Sequence, residues 1–295
     1  AEVPRPMRLV LITGMSGSGK SVALRLLEDI GYYCVDNLPP RFLAQVAGYL
    51  ADAGQDEVAV SVDARSEVSL GELPKIIGHL RNAGHDLRVL FLTASTEALV
   101  HRYSETRRRH PLSGRLALAE RGLEPTLVES IEAERELLAP LDKAGYVVDT
   151  SGLAPATLRD WVRQFAGSAP ATLVLTFESF AFKNGVPAAA DLLFDVRNLP
   201  NPYYEPTLRP LSGLDAPVID YLARSPIVGQ MIDDIDRFIE KWLPSYHADS
   251  RHYLTVAIGC TGGQHRSPYV VEQLAARFAS RSRQRVLTRH RTLGR

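Results

Sequence analysis

The run Gly14-Met15-Ser16-Gly17-Ser18-Gly19-Lys20-Ser21 constrains this chain more than any other feature, because it lies between the apolar stretch Arg8–Thr13 and the helical periodicity of Ser21–Ile30. It satisfies G-x-x-x-x-G-K-S/T in the context that gives the pattern its meaning, a buried strand leading through a glycine loop into a helix. The glycines let successive backbone N–H groups converge on a polyphosphate, and the helix N-terminus adds a favourable field. Lys20 then reaches the β/γ-phosphates, and the Ser21 hydroxyl ligates Mg²⁺. The bland alternative is a glycine-rich turn with a surface lysine; nucleotide binding is the reading taken.

Such a loop needs an acidic partner for the metal. Val58–Val62 followed by Asp63 is an apolar strand ending in aspartate, and Asp63 is the first choice; Asp36, after Tyr33-Cys34-Val35, competes for the role. Whichever is not used is a plain cap or turn residue. Arg102, Arg107, Arg108 and Arg109 fall at a helix end that runs into Pro111, either as a lid over the transferring phosphoryl group or as an exposed basic face. Asp149-Thr150-Ser151 stands where a loop can touch the base.

Around the motif, short apolar runs alternate with amphipathic ones. Strands are expected at Arg8–Thr13, Tyr32–Val35, Val58–Val62, Arg88–Thr93 and Tyr146–Val148. Helices are expected around Pro40–Asp52, Leu70–Ala83, Thr96–Arg109, Glu129–Ala144 and Pro155–Phe165, which makes an α/β domain with a mainly parallel sheet. Gly167-Ser168-Ala169-Pro170 reads as a boundary, dividing the chain into 1–168 and 171–295. The second part opens with a strand at Thr172–Thr176 and continues through a proline-rich irregular stretch. A helix at Ile227–Trp242, a strand at Tyr253–Ile258, a helix at Tyr269–Phe278 and a short strand at Arg285–Thr288 close it.

Length and composition agree with this division. The 295 residues exceed one typical domain of roughly 100–200 residues, and 45% of them are hydrophobic. Two cysteines cannot staple such a chain, and with no export signal in Ala1–Arg8 they fit a reducing cytoplasm. No stretch approaches the roughly 20 apolar residues of a membrane span. The balance of 34 basic and 34 acidic side chains hides an asymmetry, for Ala276–Arg295 contains no acid and seven arginines. That end calls for an anionic partner, unless it is only a solvated helix face and a frayed tail.

A second glycine loop, Gly259-Cys260-Thr261-Gly262-Gly263-Gln264-His265-Arg266-Ser267, again joins a strand to a helix that has proline, Pro268, in its first turn. Three readings are open here. The loop is an anion nest for a phosphate or sugar phosphate, a cysteine phosphatase with Cys260 as nucleophile and Arg266 on the phosphate, or a turn around an inert thiol. No proton donor for a leaving group is identifiable, which favours the first.

Taken with both loops, the chain resembles the RapZ/YvcJ-type nucleotide-binding proteins, the family of P-loop RNase adapter proteins, over its whole length from Met7. The resemblance rests on Gly14–Ser21 continuing as Val22-Ala23-Leu24-Arg25, and on Gly31-Tyr32-Tyr33-Cys34-Val35-Asp36-Asn37-Leu38-Pro39. More specific strings follow: Phe177-Glu178-Ser179-Phe180, Phe194-Asp195-Val196-Arg197, Leu199-Pro200-Asn201-Pro202, Ala257–Ser267 and Arg289-His290-Arg291-Thr292-Leu293. It implies an N-terminal kinase-like P-loop NTPase domain that binds ATP or GTP with at most weak hydrolysis. It also implies a second nucleotide contact at Asp63-Ala64-Arg65-Ser66, and a C-terminal α/β domain resembling a sugar-phosphate-binding fold. Cys260, Gly262, Gly263, His265 and Arg266 would then form a metabolite-phosphate pocket, with glucosamine-6-phosphate as the sensed compound. Arg281, Arg283, Arg285, Arg289, His290 and Arg291 would contact a small regulatory RNA presented to an endoribonuclease, in a cytoplasmic homo-oligomer. Gln264 stands where that family commonly has lysine. A small-molecule kinase is the alternative function, and a Cys260-dependent phosphatase the next.

Overall fold

Leu9, Val10, Leu11 and Ile12 have no solvent exposure, so this run has no polar face to turn outward and must be covered on both sides. It forms β1 (Arg8–Gly14), the middle strand of a parallel sheet. The computed structural model describes residues 6–62, 70–113, 125–142, 144–167, 173–248, 253–281 and 285–294. Two units are distinct, Ala1–Ser168 and Ala169–Arg295. Asp63, Ala64, Arg65, Ser66 and Arg283 lie outside the described residues.

In the first unit β1 is followed by α1 (Lys20–Asp29), β2 (Tyr33–Val35), α2 (Leu43–Asp52), β3 (Glu57–Ser61), α3 (Leu73–Asn82), β4 (Asp86–Thr93), α4 (Thr96–Thr106), α5 (Leu127–Asp142), β5 (Tyr146–Asp149) and α6 (Pro155–Ala166). The strand order is β2-β3-β1-β4-β5 with every pairing parallel. Register places Leu11 opposite Val60 and Gly14 opposite Leu92, so the P-loop leaves the sheet between its two central neighbours. Leu9, Leu11, Val58, Val60, Val89 and Phe91 line one core with α2, α3 and α5. The sequence places the end of α4 at Arg109, whereas the helix stops at Thr106. Arg107 adopts φ 51° and its N–H donates to Tyr103 O at 2.9 Å, a left-handed cap that turns the chain out of the helix.

The second unit contains β6 (Val174–Ala181), β7 (Leu192–Asp195), α7 (Ala216–Ala223), α8 (Pro226–Ala248), β8 (Tyr253–Cys260), α9 (Arg266–Arg281) and β9 (Arg285–His290). Its sheet has order β7-β8-β6-β9, again wholly parallel. All eight residues of β6 are buried. Phe177, Val256, Ile258, Ile235, Val270, Leu274 and Phe278 share the core. The expected α/β class with parallel sheets therefore holds in both halves. No helix among the described residues is long and apolar enough to cross a membrane.

Candidate nucleotide site and a second glycine loop

The P-loop passes so close to β4 that its first residue is fixed by space. A Cβ on Gly14 would sit 2.0 Å from the carbonyl oxygen of Leu92, and φ at Gly14 is 128°. From there the chain folds back on itself: Ser18 Oγ donates to Met15 O at 2.6 Å, and Lys20 Nζ donates to Gly14 O at 2.7 Å and Met15 O at 3.1 Å. Lys20 opens α1, and its ammonium lies over the carbonyls at the start of the loop.

The loop is braced from behind by residues of three other elements. Arg102, on α4, donates through Nη1 to Gly17 O and to Thr150 Oγ1, both at 3.0 Å, and through Nη2 to Thr150 O at 2.5 Å. Thr150 Oγ1 in turn donates to Ser18 O at 2.9 Å. Asp149-Thr150-Ser151 thus supports the loop, and burial lowers the pKa of Arg102 against the opposing pull of Asp149. The Ser16 N–H and hydroxyl donate to the two oxygens of Glu134, at 2.9 and 2.6 Å, and His110 Nε2 lies 3.0 Å from Glu134 Oε2. Leu112 N–H donates to His110 Nδ1 at 3.2 Å, which leaves Nε2 as the protonated nitrogen that donates to Glu134.

The loop borders a cavity of about 710 Å³ lined by Ser16, Gly17, Gly19, Lys20, Ser21, Asp36, Asn37, Ser61, Arg102, Arg108 and Arg109, among others. The arginine-rich segment therefore faces the loop. Asp36 lines the same cavity and accepts a hydrogen bond from Ser61 Oγ, which also accepts the Asn37 N–H at 2.8 Å. The chemistry of the lining suits a polyphosphate with a divalent cation: a glycine loop, one lysine, three arginines, several hydroxyls and two carboxylates, Asp36 and Glu105.

The second loop is more closed. Gly263 has φ 65°, and a Cβ there would lie 2.2 Å from Thr292 Oγ1. Cys260 is buried, with Sγ 3.1 Å from Ser267 Oγ. Arg266 Nη1 donates to the carbonyls of Arg197 and Leu199 at 2.5 and 3.1 Å, and its buried Nε has no hydrogen-bond partner among the described residues. His265 Nε2 donates to Leu208 O at 3.1 Å, and burial lowers its pKa. Gln264 donates to the carbonyls of Leu211 and Arg209. A phosphatase needs an exposed thiolate and a guanidinium open to phosphate; here the thiol is covered, and Nη1 of the guanidinium is turned onto protein carbonyls while Nη2 lies 3.4 Å from Thr261 Oγ1.

Residues 7–169 match the model of the RapZ-like N-terminal domain, and residues 173–294 that of the RapZ C-terminal domain. The chain belongs to the RapZ family. A nucleotide-binding protein of Paraburkholderia xenovorans is 60% identical over 286 residues, 97% of this chain and 95% of the relative. One of Burkholderia multivorans is 61% identical over 286 residues, 97% of this chain and 94% of the relative. A sugar kinase structure from Janibacter sp. HTCC2649 is 22% identical and covers 56% of this chain and 97% of its own, with a TM-score of 0.38, too loose an overlap to bear on the argument.

Within this RapZ-family chain the basic end is arranged differently from a free cationic tail. Arg289 is 1% exposed and lies 3.6 Å from Glu178, itself buried in β6. His290 is buried between Ser179 Oγ and Glu272 Oε1, each at 2.8 Å. Arg291 Nη1 donates to Glu178 Oε1 at 3.3 Å. Arg281 pairs with Asp236 and, at 3.5 Å, with Glu240. Arg285 begins β9 and is half-buried. Buried positions offer no surface to a phosphate, so Arg289 and His290 serve the interior of the sheet and not an external face.

Sequence reasoning did not single out Glu134 or His110. A signal was present: Ile131, Glu134, Leu138 and Leu141 recur at helical spacing, and all four are buried, so Glu134 puts a charge in the apolar stripe of α5.

Proposed function

We propose that the P-loop cavity holds ATP or GTP with Mg²⁺, and that nucleotide occupancy rather than rapid turnover is its purpose. The observation that carries this reading is the braced loop itself, with Lys20, Ser21 and the arginines Arg102, Arg108 and Arg109 lining one cavity. Backbone N–H groups of the loop and Lys20 would hold the phosphates, and Ser21 the metal. Asp36 has a place in the cavity wall, and Asp63, two residues beyond β3, is the other candidate for the metal's carboxylate. The curated relatives named above as nucleotide-binding proteins support the same reading.

Equilibrium titration with ATP and GTP in the presence of Mg²⁺ tests it. Lys20→Ala is expected to weaken binding by about a hundredfold, as loss of a buried charge-assisted contact to phosphate does. Unchanged affinity in that variant would remove the cavity as the nucleotide site. Asp36→Asn and Asp63→Asn then separate the two carboxylates, since only the metal partner's loss abolishes the Mg²⁺ dependence.

For residues 171–295 we propose the finer role that family membership suggests: binding of a sugar phosphate such as glucosamine-6-phosphate and of a small regulatory RNA, which is handed to an endoribonuclease. Placement of the second glycine loop supports the metabolite half of this reading, since ligands of parallel α/β sheets bind outside the carboxyl ends of the strands. Glucosamine-6-phosphate should raise the melting temperature of the full chain, and Arg266→Ala should abolish that rise. A melting temperature indifferent to the compound would discard the assignment.

A further inference from the structure

One short stretch of chain is tied to three consecutive residues of the P-loop. Arg102 holds Gly17 O directly and Ser18 O through Thr150, while His110 reaches Ser16 through Glu134. Between the two anchors α4 ends, Arg107 turns left-handed, and Arg108 and Arg109 enter the cavity wall. His110 has little freedom in this arrangement. Both ring nitrogens are engaged, and its ring packs 5.4 Å from that of Tyr103. Glu134 has no solvent exposure at all, yet all its donors come from the two things it joins, the loop and the arginine segment.

Charge indicates what the joined parts would recognise. Four cationic side chains line the cavity, Lys20, Arg102, Arg108 and Arg109, against two acidic ones, Asp36 and Glu105. Arg102 is committed to the loop and Thr150. Lys20 addresses the phosphates next to the loop, so the two later arginines supply positive charge beyond what a diphosphate in the loop needs. We propose that Glu134 and His110 are positioning residues that hold Arg108 and Arg109 against the terminal phosphate, so that the site distinguishes a nucleoside triphosphate from a diphosphate. This rests on the reading of the cavity as the nucleotide site.

The test is the ratio of ADP to ATP dissociation constants (GDP to GTP if the guanine nucleotides bind more tightly), measured by calorimetry with Mg²⁺ on the full chain. Arg108→Ala with Arg109→Ala should lower the wild-type ratio about tenfold, as expected for loss of charge-assisted contacts made to one phosphate. His110→Phe keeps a ring of similar size but removes the donor to Glu134, and it should lower the ratio comparably while the diphosphate affinity moves less than about threefold. His110→Gln, whose amide N–H can reach the carboxylate, should restore the ratio. Glu134→Gln gives an independent readout, since its amide places a donor against the donors of Ser16 and His110. A purely structural role predicts equal weakening of both nucleotides in His110→Phe and Glu134→Gln, and an unchanged ratio there overturns the proposal alone. A wild-type chain that binds neither nucleotide overturns the reading of the site and the proposal with it.

Discussion

A carboxylate without solvent exposure persists as an anion only when its oxygens are engaged, and Glu134 accepts three hydrogen bonds with Lys20 close enough to act on it. Burial pushes its pKa up, but the donors of His110 and Ser16 and the charge of Lys20 outweigh this, and the carboxyl titrates below its ordinary value of 4.5. A native pKa below the unfolded one means that the ionised group stabilises the fold at neutral pH. That share is lost as pH falls from the unfolded value through the native one. Glu134→Gln should therefore melt lower at neutral pH, while its melting temperature declines less steeply than that of wild type as pH falls below about 5; parallel declines would show that the carboxyl titrates alike in the native and unfolded chains. Gly14→Ala makes a different residue-scale prediction, because the new methyl meets a backbone carbonyl of β4 that cannot move without breaking the sheet. It should destabilise the first unit by about 3 kcal/mol or more, read as a shifted denaturation midpoint. The glycine was legible from the loop pattern alone. Glu134 was hidden because its partners lie 24 and 118 residues away, and only its place in an apolar stripe marked it.

Elements show where local pattern reading runs out. Most strands and helices of the first unit were legible as apolar runs or full amphipathic periods, the short β2 and β5 through the strand–helix alternation around them, and only termini shifted, as where Arg107 caps α4 early. In the second unit β7 is four residues long, lies at the sheet edge and is half-covered, so it gives neither an apolar run nor a firm alternation. The α7 helix hid behind Pro217, which reads as a breaker but occupies the first turn. Asp215 helps fix the entry by accepting the Ser212 N–H and hydroxyl. The short strand expected at Arg285–Thr288 extends to His290 as β9, which pairs with β6 in parallel and buries Leu287, Arg289 and His290, so this part of the basic end is no frayed tail. A chain ending before Arg285 should thus lose cooperative unfolding of the second unit, seen as a missing transition by circular dichroism. A retained transition would mean that β9 is dispensable. RNA contacts must therefore be probed by point substitution and not by truncation.

Across the whole molecule, formal charge sums to zero, so any affinity for a polyanion comes from local excess. Of the residues that the family resemblance implies for RNA, Arg289 and His290 are interior, and Arg281 and Arg291 already face carboxylates. Exposed pairs such as Arg281 with Glu240 are held by about 1 kcal/mol or less, so RNA phosphates can displace them. Asp236 is different, because it is buried and accepts from both Arg277 and Arg281. It holds those arginines against α8 and opposes their transfer to an external phosphate. On the proposed RNA role about three phosphates would then be neutralised, and for single-stranded RNA the logarithm of affinity should fall with that of salt at a slope near −2. Asp236→Asn should cost about 1–3 kcal/mol of stability. It should nevertheless strengthen RNA binding at low salt and steepen the slope by up to about one. Arg281→Glu should weaken binding and flatten it. A slope of about −4 or beyond in wild type that Arg281→Glu leaves intact would place the RNA on another basic surface of the chain, and Asp236 would then have no bearing on it.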